Sequence, residues 1–123
     1  MTPNPVRWFE IYVQDMARAQ RFYEAVFDTK LERLDSGDLE MLAFPQDMKT
    51  MGCSGALVRA PGVPSGGVGT LVYFGSEDCA VESGRVVAAG GKLQREKLSI
   101  GQYGFIALAY DTEGNLFGIH SLR

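Results

Sequence analysis

The chain repeats one local pattern twice. An alternating apolar run ends at Asp15 and precedes a helix-like stretch, and a similar run ends at Asp78 and precedes a second one. These two aspartates are 63 residues apart, and the Lys-Leu pairs that follow the helix-like stretches, at Lys30 and Lys92, are 62 apart. The repeat predicts a fold of two paired modules, with a cleft between their sheets whose lining decides the function.

Length and composition exclude several classes of protein. A chain of 123 residues with 46% hydrophobic and 22% charged residues predicts a single globular domain. The net charge of −3 argues against nucleic-acid binding, which needs a basic surface. No apolar segment reaches the roughly 18 residues of a membrane span. No secretory signal is visible, and Cys53 and Cys79 lack metal-site spacing, so we expect a cytoplasmic protein with reduced thiols.

The first module, about residues 5–60, is predicted to have the order βαβββ. Residues 6–13 alternate as in a strand, and Asp15 is a good cap for a helix of about three turns. The apolar stripe of that helix needs a sheet to pack on, and comprises Met16, Ala19, Phe22, Tyr23, Val26 and Phe27. Three strands are predicted to follow at about 31–34, 39–44 and 52–59. The Gly- and Pro-rich segment 60–69 is predicted to link the modules.

The second module, about residues 69–123, is predicted to repeat this order. Asp78 or Ser76 is expected to cap a helix that carries Val81, Val86, Val87 and Ala88 and is closed by Gly90-Gly91. Strands are predicted at 70–75, 92–97, 105–110 and 115–122. The predicted fold class is α+β, with tandem βαβββ modules that form a cleft-bearing sheet.

Three stretches of the sequence resemble the vicinal oxygen chelate superfamily, which includes glyoxalase I, bleomycin-resistance proteins and extradiol dioxygenases. Val13 to Ala19 with Phe22-Tyr23 is similar to the family's opening strand and helix, and Ala88 to Lys92 to the end of its second helix. Tyr110 to Asn115 resembles its last hairpin. The resemblance covers nearly the whole chain and implies the glyoxalase/bleomycin-resistance/dioxygenase fold, commonly as a homodimer.

The resemblance also locates the metal ligands of the metal-dependent members, and this chain departs from them. In those members the metal is bound by a histidine on the first strand, by the equivalent residue at the start of the second module and by a glutamate after the last hairpin. The corresponding residues of this chain are Trp8, Leu71 and Gly118. The remaining ligand belongs on the strand predicted at 52–59, where Gly55-Ala56-Leu57-Val58 offers no carboxylate or imidazole. We therefore predict no cofactor and no metal ligand. A divalent metal held by Glu10, His120 and groups of a second subunit is possible but disfavoured.

Strand alternation predicts which side chains face the cleft. Phe9, Ile11 and Val13 should meet the first helix, and Phe117 and Ile119 the second. The opposite faces would then present an aromatic wall with few polar groups, which is typical of small-molecule pockets. The predicted ligand-binding residues are Trp8, Glu10, Tyr12, Tyr73, Tyr103, Phe105 and His120.

Glu10 and His120 are the candidates for catalysis, although no catalytic residue is assigned. A half-buried carboxylate needs a partner, and a Glu–His pair would hold the histidine tautomer that a general base requires. A structural role, as an ion pair or as a partner of backbone groups at the sheet edge, is the favoured explanation of these residues, ahead of ligand contact and proton transfer. Whether they would meet within one chain or across a dimer stays open.

Three functions are compatible with the sequence. The first is binding of a small, apolar or cationic molecule in the cleft without a metal, because aromatic faces beside a carboxylate suit a cation. The second is a metal-dependent lyase or dioxygenase that uses non-standard ligands. The third is a non-catalytic dimeric module. We expect a small-molecule ligand and a homodimer, and no nucleic-acid or membrane partner.

Overall fold

The computed structural model describes residues 1–67 and 69–123. The elements along this part of the chain confirm the predicted α+β fold with its tandem βαβββ order. They are β1 (Val6–Tyr12), α1 (Met16–Phe27), β2 (Glu32–Leu34), β3 (Glu40–Ala43), β4 (Gly55–Arg59), β5 (Thr70–Gly75), α2 (Cys79–Ser83), β6 (Lys92–Ser99), a 3₁₀ turn (Gly101–Tyr103), β7 (Phe105–Tyr110) and β8 (Leu116–Ser121).

The chain forms two compact units, residues 8–71 and residues 1–7 with 72–123. Strands of the first are ordered β2-β3-β4-β1, and those of the second β5-β8-β7-β6. In each unit the strand that precedes the helix is parallel to its neighbour, β1 to β4 and β5 to β8, and the other pairs are antiparallel. The predicted linker, 60–69, contains Val68, which lies outside the described residues.

In the unit of residues 8–71, α1 covers one face of the sheet. Asp15 caps the helix as predicted, because its carboxylate accepts a hydrogen bond from the backbone N–H of Arg18 at 3.0 Å. The core beneath the helix consists of Met16, Leu31, Leu42 and Leu57, with Ile11, Val13, Ala19, Tyr23 and Phe44 packed against it. The predicted orientation of Ile11 and Val13 toward the helix is therefore confirmed.

Half of the predicted apolar stripe of α1 is not in the core. Phe22, Val26 and Phe27 are 58%, 57% and 64% exposed. The helix turns about 100° per residue, so a line of contact that runs through Ala19 and Tyr23 leaves Phe22 and Val26 on the flank. The apolar spacing located the helix correctly, but it did not identify which half of a broad stripe packs on the sheet.

In the unit of residues 1–7 with 72–123, a smaller core lies beside α2. It consists of Cys79, Ala107 and Ile119, with Phe105 and Phe117 packed against it. The orientation predicted for Phe117 and Ile119 is confirmed. The predicted length of the second helix is wrong, because α2 ends at Ser83 after five residues.

A glycine and the turn that follows it explain why α2 is short. Gly84 follows it directly, and the backbone N–H of Val86 bonds the carbonyl of Ser83 at 3.3 Å, a turn contact rather than a helical one. Val81 and Val87 are 49% and 69% exposed, so the valines of this segment do not form one buried stripe.

Neither cysteine forms a disulfide, Cys53 being exposed and Cys79 buried. In the part of the chain that the structure describes, no helix has the length and apolar character needed to cross a membrane.

Candidate functional site

Glu10 lies on β1, on the face of the sheet opposite α1. Its strand neighbours two positions away, Trp8 and Tyr12, share this face because side chains alternate along a strand. We call these three side chains the Glu10 face. Glu10 is only 8% exposed, whereas Trp8 and Tyr12 are half-buried. A buried carboxylate between two partly accessible aromatic rings is the most unusual polar feature of this unit.

Both carboxylate oxygens of Glu10 accept hydrogen bonds from side chains of its own strand. The indole N–H of Trp8 donates to Oε2 at 3.2 Å. The hydroxyl of Tyr12 donates to Oε1 at 2.7 Å. Since these donors flank Glu10 on both sides, they hold the carboxylate against the strand and fix its direction.

The neighbouring strands offer Glu10 an apolar environment. Its register partner on β4 is Ala56, whose own partner on β3 is Ala43. Ala56 is completely buried. Burial among such groups raises the pKa of Glu10 above its usual value, and this effect exceeds the opposing effects of the bonds from Tyr12 and Trp8, which lower the pKa.

The raised pKa of Glu10 predicts a pH-dependent contribution to stability. The folded chain holds the Glu10 proton more tightly than the unfolded chain does. The stabilisation that comes from this difference is fully present below the unfolded pKa of about 4.3 and is lost as the pH rises through the folded pKa of Glu10. Glu10→Gln keeps the shape and cannot ionise. The unfolding free energy of this variant, relative to wild type, should therefore be highest at pH 8 and should fall as the pH is lowered.

Urea denaturation of both proteins from pH 4.5 to pH 8 measures this difference. Glu32→Gln makes the same change at an exposed residue of β2 and is the matched control. A difference between Glu10→Gln and wild type that is constant across this range would contradict a pKa raised by burial.

In the other unit, Tyr73 and His120 lie on the face opposite α2. Tyr73 is 7% exposed and its register partner on β8 is Gly118. A Cβ built on Gly118 would collide with Cδ1 and Cε1 of the tyrosine ring. The ring of Tyr73 thus occupies the space that a side chain at position 118 would need, and this explains why glycine is required there.

His120 contacts the 3₁₀ turn. Its Nε2 lies 2.6 Å from the backbone carbonyl oxygen of Tyr103, whose side chain is 43% exposed. The predicted site residues Tyr103 and His120 are thus brought together through the backbone of the turn. Glu10 accepts its hydrogen bonds from Trp8 and Tyr12, and the predicted pairing of Glu10 with His120 stays a prediction.

Phe105 has a different environment from the other predicted ligand contacts. Its ring packs against the core beside α2, and Nζ of Lys97 lies 4.7 Å from the ring centroid. These contacts stabilise the unit, and a ligand contact of Phe105 stays a prediction.

The residues at the family's usual metal positions do not fit a metal ion. The nitrogen of Trp8 carries a proton that it donates to Glu10, so it has no lone pair for a metal. Leu71 has no donor atom, and the space at Gly118 is filled by the ring of Tyr73. Across the described residues, no three His, Cys, Asp or Glu side chains form a group that could hold a metal ion.

A separate groove of about 300 Å³ lies at the start of α1, in the unit of residues 8–71. Asp15, Arg18, Phe22 and Ser65 are among its lining residues. The residues of the Glu10 face do not line this groove, so it is not part of the predicted site.

Comparison with known protein families identifies the chain. Residues 6–119 match the model of the Glyoxalase/Bleomycin resistance protein/Dioxygenase superfamily. The match spans nearly the whole chain and includes both βαβββ units, so the protein belongs to this superfamily. No curated protein matches the sequence significantly.

Solved structures with this fold are similar to the chain over nearly its full length. A hypothetical protein from Bacillus halodurans C-125 has a TM-score of 0.72 at 14% identity, covering 99% of this chain and 96% of that one. Methylmalonyl-CoA epimerase from Mycobacterium tuberculosis has a TM-score of 0.68 at 14% identity, covering 100% and 93%. A variant of the Streptomyces coelicolor epimerase in complex with 2-nitronate-propionyl-CoA has a TM-score of 0.67 at 14% identity, covering 94% and 92%. At these identities the likeness shows the fold alone.

Proposed function

We propose that the chain binds a small, largely apolar or cationic molecule at the Glu10 face, without the metal that many superfamily members use. The observation that carries this proposal is the carboxylate of Glu10, which is 8% exposed and is held by hydrogen bonds from Trp8 and Tyr12. A purely structural carboxylate would be less costly at the surface, because burial penalises its charged form.

The carboxylate of Glu10 can accept further hydrogen bonds beyond those from Trp8 and Tyr12. An ionised carboxylate has about four acceptor positions on its two oxygens, and the bonds from Trp8 and Tyr12 use one on each oxygen. A ligand N–H group can therefore bind Glu10 without displacing either aromatic side chain. The two existing bonds keep the oxygens oriented before the ligand arrives, which lowers the entropic cost of binding.

The aromatic rings determine the class of ligand that suits this face. Trp8 and Tyr12 are half-buried, so part of each ring remains available to a ligand. Aromatic faces next to a carboxylate attract an ammonium or another organic cation, and Trp is the strongest of the aromatic residues in this respect. Ala56 and Val58, the register partners of Glu10 and Tyr12, are completely buried, so the apolar part of such a molecule would contact the two aromatic rings.

A cationic ligand should bind more tightly as the pH rises. The pKa of Glu10 is raised by burial, and a cation favours the ionised carboxylate. Binding of the cation is therefore coupled to release of the Glu10 proton, and acidification through that pKa should weaken it. An uncharged apolar ligand should show little of this dependence.

The test is a ligand screen at pH 8 that includes aromatic and aliphatic amines and their uncharged analogues. Thermal shift and native mass spectrometry should find ligands that stabilise the wild type and Glu32→Gln but not Glu10→Gln. Loss of a charge-assisted hydrogen bond should weaken binding about tenfold or more. Ligands that bind all three proteins equally would place the binding site elsewhere and contradict the proposal. The homodimer predicted from the sequence stays a prediction and is not tested by this screen.

A further inference from the structure

The single histidine of the chain has one ring nitrogen with a partner and one without. Nε2 of His120 lies 2.6 Å from the carbonyl oxygen of Tyr103. A carbonyl oxygen only accepts, so Nε2 must carry the proton, and the neutral ring keeps its lone pair on Nδ1. Within residues 1–67 and 69–123, Nδ1 is buried and has no hydrogen-bond partner. Buried polar atoms nearly always have a partner, so this one requires an explanation.

The guanidinium of Arg7 lies over Gly75, the residue of β5 that is paired with His120. The register partner of His120 on β5 is Gly75, so a side chain at position 75 would project from the same face as His120. A Cβ built on Gly75 would stand 2.6 Å from Nη2 and 2.7 Å from Nε of Arg7. Arg7 therefore occupies the space above Gly75, about one strand spacing of 4.8 Å from the histidine strand.

No carboxylate of the described residues forms an ion pair with Arg7. Among the described residues, the ion pairs join Arg59 to Glu40 and Lys97 to Asp78. Arg7 takes part in neither of them. Its side chain is exposed, so it is accessible to a ligand from solvent.

The remaining groups that pack near His120 do not compete with Arg7. The register partner of His120 on β7 is Ile106, which is apolar. The 3₁₀ turn contributes the Tyr103 carbonyl, and Lys97 lies over the ring of Phe105, on the α2 side of the sheet. Arg7 is thus the charged side chain that the described contacts place over the register partner of His120.

We propose that Arg7 and His120 form a binding site for a small anionic oxygen ligand, a carboxylate or a phosphate monoester, that binds together with one proton. Arg7 donates its N–H groups to the ligand oxygens, a geometry that suits both anions. The proton taken from solvent lies between a ligand oxygen and Nδ1, so both ring nitrogens then have partners. Because Nδ1 is covered before binding, the flexible Arg7 side chain moves as the anion enters. The proposal does not use Glu10 or its hydrogen bonds, so it can fail or hold separately from the proposed function.

The single histidine makes a direct test possible. In ¹⁵N-labelled protein the imidazole signals can only come from His120. Titration with inorganic phosphate, and separately with acetate and benzoate, should move the Nδ1 signal from the unprotonated toward the protonated position. The separate titrations distinguish a phosphate site from a carboxylate site.

Two substitutions test the contribution of Arg7 in different ways. Arg7→Ala removes the guanidinium, whereas Gly75→Ala keeps its charge but displaces it, because the new Cβ would meet the far end of this flexible side chain. Both should weaken binding about tenfold or more. Arg33→Ala, which removes an exposed arginine on β2, is the control and should bind as the wild type does.

Two results would overturn the proposal. One is the absence of any change at Nδ1 up to the solubility limit of phosphate and of both carboxylates. The other is an equal response of Arg7→Ala and wild type. Arg7→Ala adds no atoms to the fold, so it remains informative if Gly75→Ala does not fold.

Discussion

Gly55→Ala is expected to lower the free energy of unfolding by about 3 kcal/mol or more. A Cβ at this position would collide with the backbone carbonyl oxygen of Phe9 and would stand 2.7 Å from Cγ of its ring. Phe9 is the register partner of Gly55 in the parallel pair of β1 and β4. Part of the obstacle is backbone, which cannot rotate away as a flexible side chain can, so β1 and β4 must separate. Urea denaturation measures the loss.

Gly67→Ala is the matched control for this substitution. A Cβ on Gly67 would meet no atom within 4 Å, and its backbone does not need glycine. Its effect should stay within about 0.5 kcal/mol of zero, as for most surface substitutions. Equal losses in both variants would show that the close contact of Phe9 with Gly55 does not limit stability.

Tyr12→Phe is expected to lower the free energy of unfolding by about 2 kcal/mol at pH 8. The variant removes the O–H that donates to Oε1 of Glu10 at 2.7 Å, and leaves a buried carboxylate with one bond fewer. That bond lowers the pKa of Glu10, so its loss raises the pKa further. The destabilisation should therefore shrink as the pH falls and the carboxylate becomes protonated.

A double-mutant cycle isolates the contact between Tyr12 and Glu10 from other contacts of the tyrosine. In the Glu10→Gln background, Tyr12→Phe should cost less than in the wild type, because the acceptor is no longer charged. Tyr110→Phe, on the exposed end of β7, is the control for loss of a phenol hydroxyl. Additive effects of Tyr12→Phe and Glu10→Gln at pH 8 would show that this hydrogen bond does not hold the carboxylate.

The two units show how far local patterns predict this fold. The strand predicted at 70–75 is β5, the strand predicted at 105–110 is β7, and the helix predicted after Asp15 is α1. These elements depend on alternation, helical spacing and caps, which are properties of short segments. The predicted second helix was too long, because a run of valines and alanines favoured it while Gly84 ended it at Ser83.

The candidate site was predicted in part. The sequence identified Glu10 as a carboxylate among aromatic residues, and the shared face of Trp8, Glu10 and Tyr12 followed from alternation alone. It did not indicate that the two aromatic neighbours themselves bind the carboxylate. Arg7 was missed as a site residue. The sequence shows Arg7 only as a basic residue at the start of a strand. Its contact with Gly75, nearly seventy positions away, depends on tertiary packing.

By itself the sequence determined the duplicated βαβββ order, the superfamily and the side of β1 on which Glu10 lies. Periodicity and caps are enough for this, because they reflect interactions among residues close in the chain. Only the tertiary structure decided which half of the α1 stripe is buried, that the ring of Tyr73 fills the space at Gly118, and that Nδ1 of His120 has no partner. These outcomes depend on strand register and on side chains far apart in the chain, which local patterns do not encode.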